Sequence, residues 1–66
     1  MTLKQWLQLH KPGYRAFAKR IGVANAGVVQ KYAAGRVPRS AQVRDAIVRE
    51  TSGQVQLVDL YAAAGR

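Results

Sequence analysis

The chain of 66 residues contains no cysteine. That absence excludes disulfides, thiolate catalysis, zinc fingers and iron–sulfur ligation together, and it suits a reducing compartment such as the cytoplasm. Acidic residues are nearly absent as well: Asp45, Glu50 and Asp59 are the three, against eleven Lys and Arg. Their spacing offers no catalytic carboxylate pair, and no glycine-rich phosphate loop or metal-ligand cluster is present. The single histidine, His10, reads as a helix-end residue rather than a catalyst. An enzyme, a metal, a cofactor and a small-molecule ligand are therefore all unexpected. Aromatic residues make up 8% of the chain, and no segment reads as a convincing sheet, so the stacking platform of single-strand RNA readers is missing. No apolar run approaches the ~20 residues needed to cross a bilayer, and the N-terminus lacks a signal peptide's basic-then-apolar order. The expectation is a soluble protein that stays where it is made, with no membrane partner.

What the chain does have is positive charge. The formal net charge is +8, and all three acids lie beyond residue 44. Lys4, Lys11, Arg15, Lys19, Arg20, Lys31, Arg36, Arg39 and Arg44 precede them with nothing to neutralise them. Self-repulsion on this scale opposes the compact state and is best tolerated when the partner is a polyanion. A domain of this length also buries only about 60% of the surface its unfolded chain exposes, so its stability margin is small.

Punctuation divides the chain into short helical pieces. Thr2 can cap a first helix to about Leu9, with Leu3, Trp6 and Leu7 at helical spacing, before Lys11-Pro12-Gly13 stops it. A second helix fits Tyr14 to Ile21, its stripe made by Phe17, Ala18 and Ile21, with Gly22 as a left-handed cap. A third fits about Asn25 to Ala33, closed by Gly35. After Val37-Pro38, Ser40 can cap a fourth helix to about Thr51, with Val43, Ala46 and Ile47 on one face and Ser52-Gly53 as its break. The segment GQVQLVDLYAAAGR supports both a strand and a helix periodicity, and its alanine-rich end favours a short helix. Residues 1–66 thus read as one all-α domain, a small bundle of four to five short helices.

The second and third helices carry the most specific pattern. A connection of only Gly22-Val23-Ala24 makes them cross steeply, and close crossing needs a small side chain such as Ala18 where the backbones meet. Val23 and Val28 would then fill the space towards the core. Ala18, Gly22, Val23 and Val28 have the spacing of a helix-turn-helix. Gly27 stands out in the third helix, because it weakens that helix by about 1 kcal/mol relative to alanine unless something approaches closely there. The second helix and a DNA backbone are the two candidates.

From Thr2 to about Tyr61 the layout resembles the Cro repressors of temperate phages and related Cro-like prophage regulators, some of which are paired with toxins. The landmarks are AKRIGV (18–23), VVQ (28–30), AGRVP (34–38) and AIVRETSGQV (46–55). The resemblance implies a lambda-repressor-like DNA-binding fold whose third helix is the recognition helix, and dimers that sit on short operators near divergent promoters in a bacterial host. The chain departs from the pattern at two places. Ala24 stands where many relatives have Ser or Thr, leaving Asn25 or water to cap the third helix. Lys31 stands where many have Trp, leaving Tyr32 to supply the aromatic bulk.

Under that resemblance the residues divide into those that read bases and those that hold the backbone. Asn25, Ala26, Val29 and Gln30 are the expected base contacts, since Asn and Gln can pair bidentately with adenine, and Ala and Val can touch a thymine methyl. Lys31 would reach a guanine or a phosphate. Tyr14 and Arg15 at the start of the second helix, with Arg36, Arg39 and Ser40 before the fourth, are the expected phosphate contacts, with weaker help from Lys11 and Lys19. The partner is then a pseudo-palindromic double-stranded operator bound by two copies, which meet in solution or only on DNA through Val55, Leu57, Leu60 and Tyr61. Two other functions fit the same residues: an antitoxin that binds a toxin protein and autoregulates its operon, and a non-specific nucleic-acid binder.

Overall fold

The computed structural model describes residues 1–64, and these form five helices: α1 (Leu3–His10), α2 (Tyr14–Ile21), α3 (Ala26–Ala33), α4 (Ala41–Glu50) and α5 (Leu57–Ala64). No strand occurs among the described residues. The chain is an all-α bundle, and the segment that could have been strand or helix is helix.

Each boundary has a local cause. Thr2 caps α1 through a capping box: its hydroxyl accepts the Gln5 N–H at 3.1 Å, and the Gln5 side chain accepts the Thr2 N–H at 3.0 Å. Lys11 ends that helix in the left-handed region at φ 49, one residue before a proline that could not continue it. Gly22 closes α2 at φ 80, where its N–H reaches back to the Ala18 carbonyl. At the start of α5 the Asp59 carboxylate accepts the Gln56 N–H at 2.9 Å and the Met1 amino group at 3.2 Å. The Gln56 bond, above all, holds the Asp59 carboxyl below its ordinary pKa of 3.8.

The apolar stripes of the helices meet in one core. Leu3, Trp6 and Leu7 from α1, Phe17, Ala18 and Ile21 from α2, Val29 from α3, and Ala46 and Ile47 from α4 are joined by Val55 and Leu60. Each large side chain fully buried there stabilises the fold by about 1.5–3 kcal/mol. Trp6 stacks on His10 with ring centroids 4.6 Å apart and tilts against Phe17 at 5.5 Å. Two expectations are corrected here. Val55 and Leu60 belong to this core and cannot serve a contact between copies, because they are already covered; Leu57, Val58 and Tyr61 are large apolar residues of α5 that stay exposed. Ser40 precedes α4 as expected, but its side chain makes no capping bond.

One buried polar residue ties the last two helices together. Thr51 is fully buried; its hydroxyl donates to the Ile47 carbonyl at 2.8 Å and accepts the Val55 N–H at 3.2 Å. Replacing it by the equally shaped valine leaves the Val55 N–H buried without a partner. Thr51→Val is therefore expected to lower unfolding stability by about 1–3 kcal/mol. Urea denaturation checks this, and a change below about 0.5 kcal/mol would show that the hydroxyl does not hold the α4–α5 junction.

Candidate nucleic-acid interface

The connection between α2 and α3 leads into the cap of α3. It runs Gly22-Val23-Ala24-Asn25: Asn25 is the cap of α3, one of the two caps the sequence offered, and the helix itself starts at Ala26. Asn25 is extended (φ −164), and its Oδ1 accepts the Val28 N–H at 3.2 Å. Val29 and not Val28 faces the core, a one-residue shift equivalent to about 100° of rotation from the expected register. Val29, expected to touch bases, is 0% exposed and packs in the core, so it contacts no ligand. Val28, expected in the core, is half-buried at the edge of α3. Tyr32 and Ala33 complete the inward stripe with Val29.

The same rotation accounts for Lys31. With Val29 and Tyr32 inward, Lys31 falls on the outward stripe with Gly27, Gln30 and Ala34, all of them exposed. These positions recur at three- and four-residue spacing and share one side of the helix. Gln30 and Lys31 are the long side chains of that stripe; Gly27 and Ala34, at its ends, project a hydrogen and a methyl. Ala26 is half-buried beside it.

Gly27 has a cause as well. A Cβ added at residue 27 would stand 3.1 Å from Asn25 Oδ1, inside ordinary contact. The group that approaches is thus the cap of the same helix, and neither α2 nor an external backbone is needed to explain the glycine.

Grooves flank α3 on both sides. On one side Val28, Lys31 and Tyr32 line a groove of about 450 Å³ with Arg36, Val37, Arg39 and Ser40. On the other, Ala26 and Gly27 border a groove of about 490 Å³ shared with Arg15, Lys19 and Asn25. Further along that side Gln30, Ala33 and Ala34 meet Lys4 and Tyr14 around a hollow of about 300 Å³. Tyr14, Arg15, Lys19, Arg36, Arg39 and Ser40 therefore line grooves beside α3, whereas Lys11, also expected to help hold phosphate, lines none of them. Tyr14 is half-buried against the core, whereas Arg15, Arg36, Arg39 and Ser40 are exposed.

Two structural details reinforce this layout. No side chain caps α2 or α4, whose N-termini open beside these grooves, so their first N–H groups remain free donors. Arg44, which sequence reasoning left without a role, fixes the approach to α4: its guanidinium donates to the Pro38 carbonyl at 2.7 Å and the Arg39 carbonyl at 3.1 Å. The signal available beforehand was its place one turn into α4, within reach of the preceding loop. Among the described residues the one ion pair joins Met1 and Asp59. The cations around α3 are thus not neutralised by the protein itself. No group of three or more His, Cys, Asp or Glu able to hold a metal occurs among the described residues, and no described helix is long and apolar enough to cross a membrane.

No known protein family, curated protein or solved structure matches the chain.

The Asn25–Gly27 pair makes a measurable coupling. Gly27→Ala gains up to about 1 kcal/mol of helix propensity but presses on a cap that contributes about 1 kcal/mol. In an Asn25→Ala background the cap is gone and the gain is kept in full. A four-protein denaturation cycle is expected to show Gly27→Ala stabilising the capless chain by at least about 0.5 kcal/mol more than the parent. Equal gains in both backgrounds would refute the steric account of Gly27.

Proposed function

We propose that this protein is a sequence-specific DNA-binding transcriptional repressor, Cro-like in kind, which places α3 in the major groove and occupies an operator so that polymerase is excluded. The observation that carries this reading is the pairing of basic grooves on both sides of one outward helix, each beside an uncapped helix N-terminus. A duplex presents the matching form: a major groove about 12 Å wide, which admits one helix, walled by two phosphate strands. Arg36, Arg39 and Ser40 hold one strand; Tyr14 and Arg15 hold the other. Free N–H groups at the starts of α2 and α4 add donors for phosphate oxygens.

Base reading then falls to a compact set. Gln30 has both a donor and an acceptor for adenine, Lys31 reaches a guanine or a phosphate, and Val28 takes the thymine-methyl role first given to Val29. Ala26, half-buried beside them, offers a methyl and nothing more. Two copies on a pseudo-palindrome would place half-sites about 34 Å apart. Leu57, Val58 and Tyr61 on α5 are the apolar surface available for contact between them. Neutralising about six phosphates gives affinity a salt slope near −5 in logarithmic units.

Selection of bound duplexes from a random pool at about 0.15 M salt, a concentration at which specific and non-specific binding separate, is expected to enrich one short motif containing A·T pairs. Enrichment of none would leave a non-specific binder and sink the repressor reading. On the selected duplex Gln30→Ala is expected to cost about 1–3 kcal/mol, with little effect on random DNA, whereas Arg39→Ala weakens both alike. If the two variants lose affinity in the same pattern, the division into readers and holders is wrong.

A further inference from the structure

We infer that Asn25 grips a backbone phosphate of the duplex as a donor only, together with Arg15 and Lys19, and reads no base. The inference rests on the DNA-binding reading and alters the role of one residue within it. A backbone N–H can be accepted only by oxygen, so the 3.2 Å bond from Val28 fixes the Asn25 amide with Oδ1 towards the helix and Nδ2 away from it. Pairing with an adenine edge requires a donor and an acceptor from the same amide. Here one lone pair of Oδ1 takes the Val28 N–H and the oxygen is turned towards the helix over Gly27, so the same amide cannot present oxygen and NH2 side by side to a base edge.

The remaining donor is free. Among the described residues the cap is the one hydrogen bond made by the Asn25 side chain. Arg15 and Lys19 line the same groove, are exposed, and have no ion-pair partner among the described residues. A groove that offers two cations and an amide NH2, with the amide oxygen turned inward, matches a phosphodiester rather than a base edge. It lies on the flank of α3 that also carries Lys4 and Tyr14, so the phosphate belongs to the strand those residues follow.

Asn25→Asp and Asn25→Ser both keep an oxygen for the cap, so their unfolding midpoints should match the parent. Aspartate turns the free donor into a charged acceptor facing the phosphate. Its affinity is expected to fall at least about tenfold on selected and random duplexes alike, with the salt slope shrinking by about one. Serine should lose a few-fold on both duplexes, with the slope unchanged, and decides the matter alone if Asn25→Asp does not fold. Parent-like binding by these variants, or a loss confined to the selected duplex, would overturn the inference. If the parent binds DNA but selects no sequence while Asn25→Asp is weakened, the phosphate role stands and the repressor reading falls. A parent that binds no duplex overturns both.

Discussion

Complete exclusion of Val29 from water fixes the rotation of α3 about its own axis, and nearly every feature of the interface follows from that rotation. An eight-residue helix has few ways to be anchored. With Val29 in the core and Tyr32 and Ala33 beside it, the opposite side is Gly27, Gln30, Lys31 and Ala34. Val28 is then left at one edge and Ala26 at the other. Moving Val28 inward instead would turn Lys31 towards the apolar interior, where an unpaired ammonium carries a desolvation cost of several kcal/mol. The tolerance of a lysine at this position is thus a consequence of the register. Tyr32 supplies the bulk that packs against the core, one residue later in the chain.

Most of the fold was legible because local signals agreed with one another. In α2 the stripe Phe17, Ala18 and Ile21 and the Gly22 cap all point to the same boundaries, and Thr2 with Gln5 announces the start of α1. The rotation of α3 was misread for a specific reason. The helix-turn-helix spacing from Gly22 put Val28 in the core, whereas the apolar stripe of Val29, Tyr32 and Ala33, with Lys31 three residues after Val28, favours the register that is observed. Asn25, offered as one possible cap, is the cap, through a 3.2 Å bond from Val28 N–H. Gly27 was recognisable as an anomaly, but its cause is a contact two residues away within the same turn. Ser40 misled in the opposite sense: a good capping residue in a good capping position leaves its hydroxyl unused, while Arg44 organises the loop by bonding Pro38 and Arg39.

Capping across the four helices α1 to α4 follows a division that single helices do not reveal. α1 and α3 have side-chain caps; α2 and α4 do not. An absent cap forgoes about 0.5–2 kcal/mol, a real loss for a domain with so small a core. The two helices that forgo it begin beside the basic grooves. Their free N–H groups are hydrated in the isolated protein and are available to an anion at the positive end of the helix dipole. The capped α3 has a different task on the proposed reading: its first turn enters the groove, where rigidity of the reading side chains matters more than spare donors.

Charge links this local economy to the whole molecule. A formal charge of +8 is carried by a body with a Cα radius of gyration of 10.2 Å. Within such dimensions most pairs of cations lie no more than a few Debye lengths apart at physiological salt, so repulsion among them is screened but not abolished. Added salt relieves that repulsion and favours the folded chain, yet it weakens attachment to a polyanion through the counterions that binding would otherwise release. On the proposed reading, salt therefore acts on folding and on DNA binding in opposite directions. A bound duplex would screen the cations as free ions do, with phosphates held beside them. On the proposed reading, binding stabilises the fold in two ways: through mass action on the native state, and by removing the electrostatic strain that an unneutralised first two-thirds of the chain imposes on a small core.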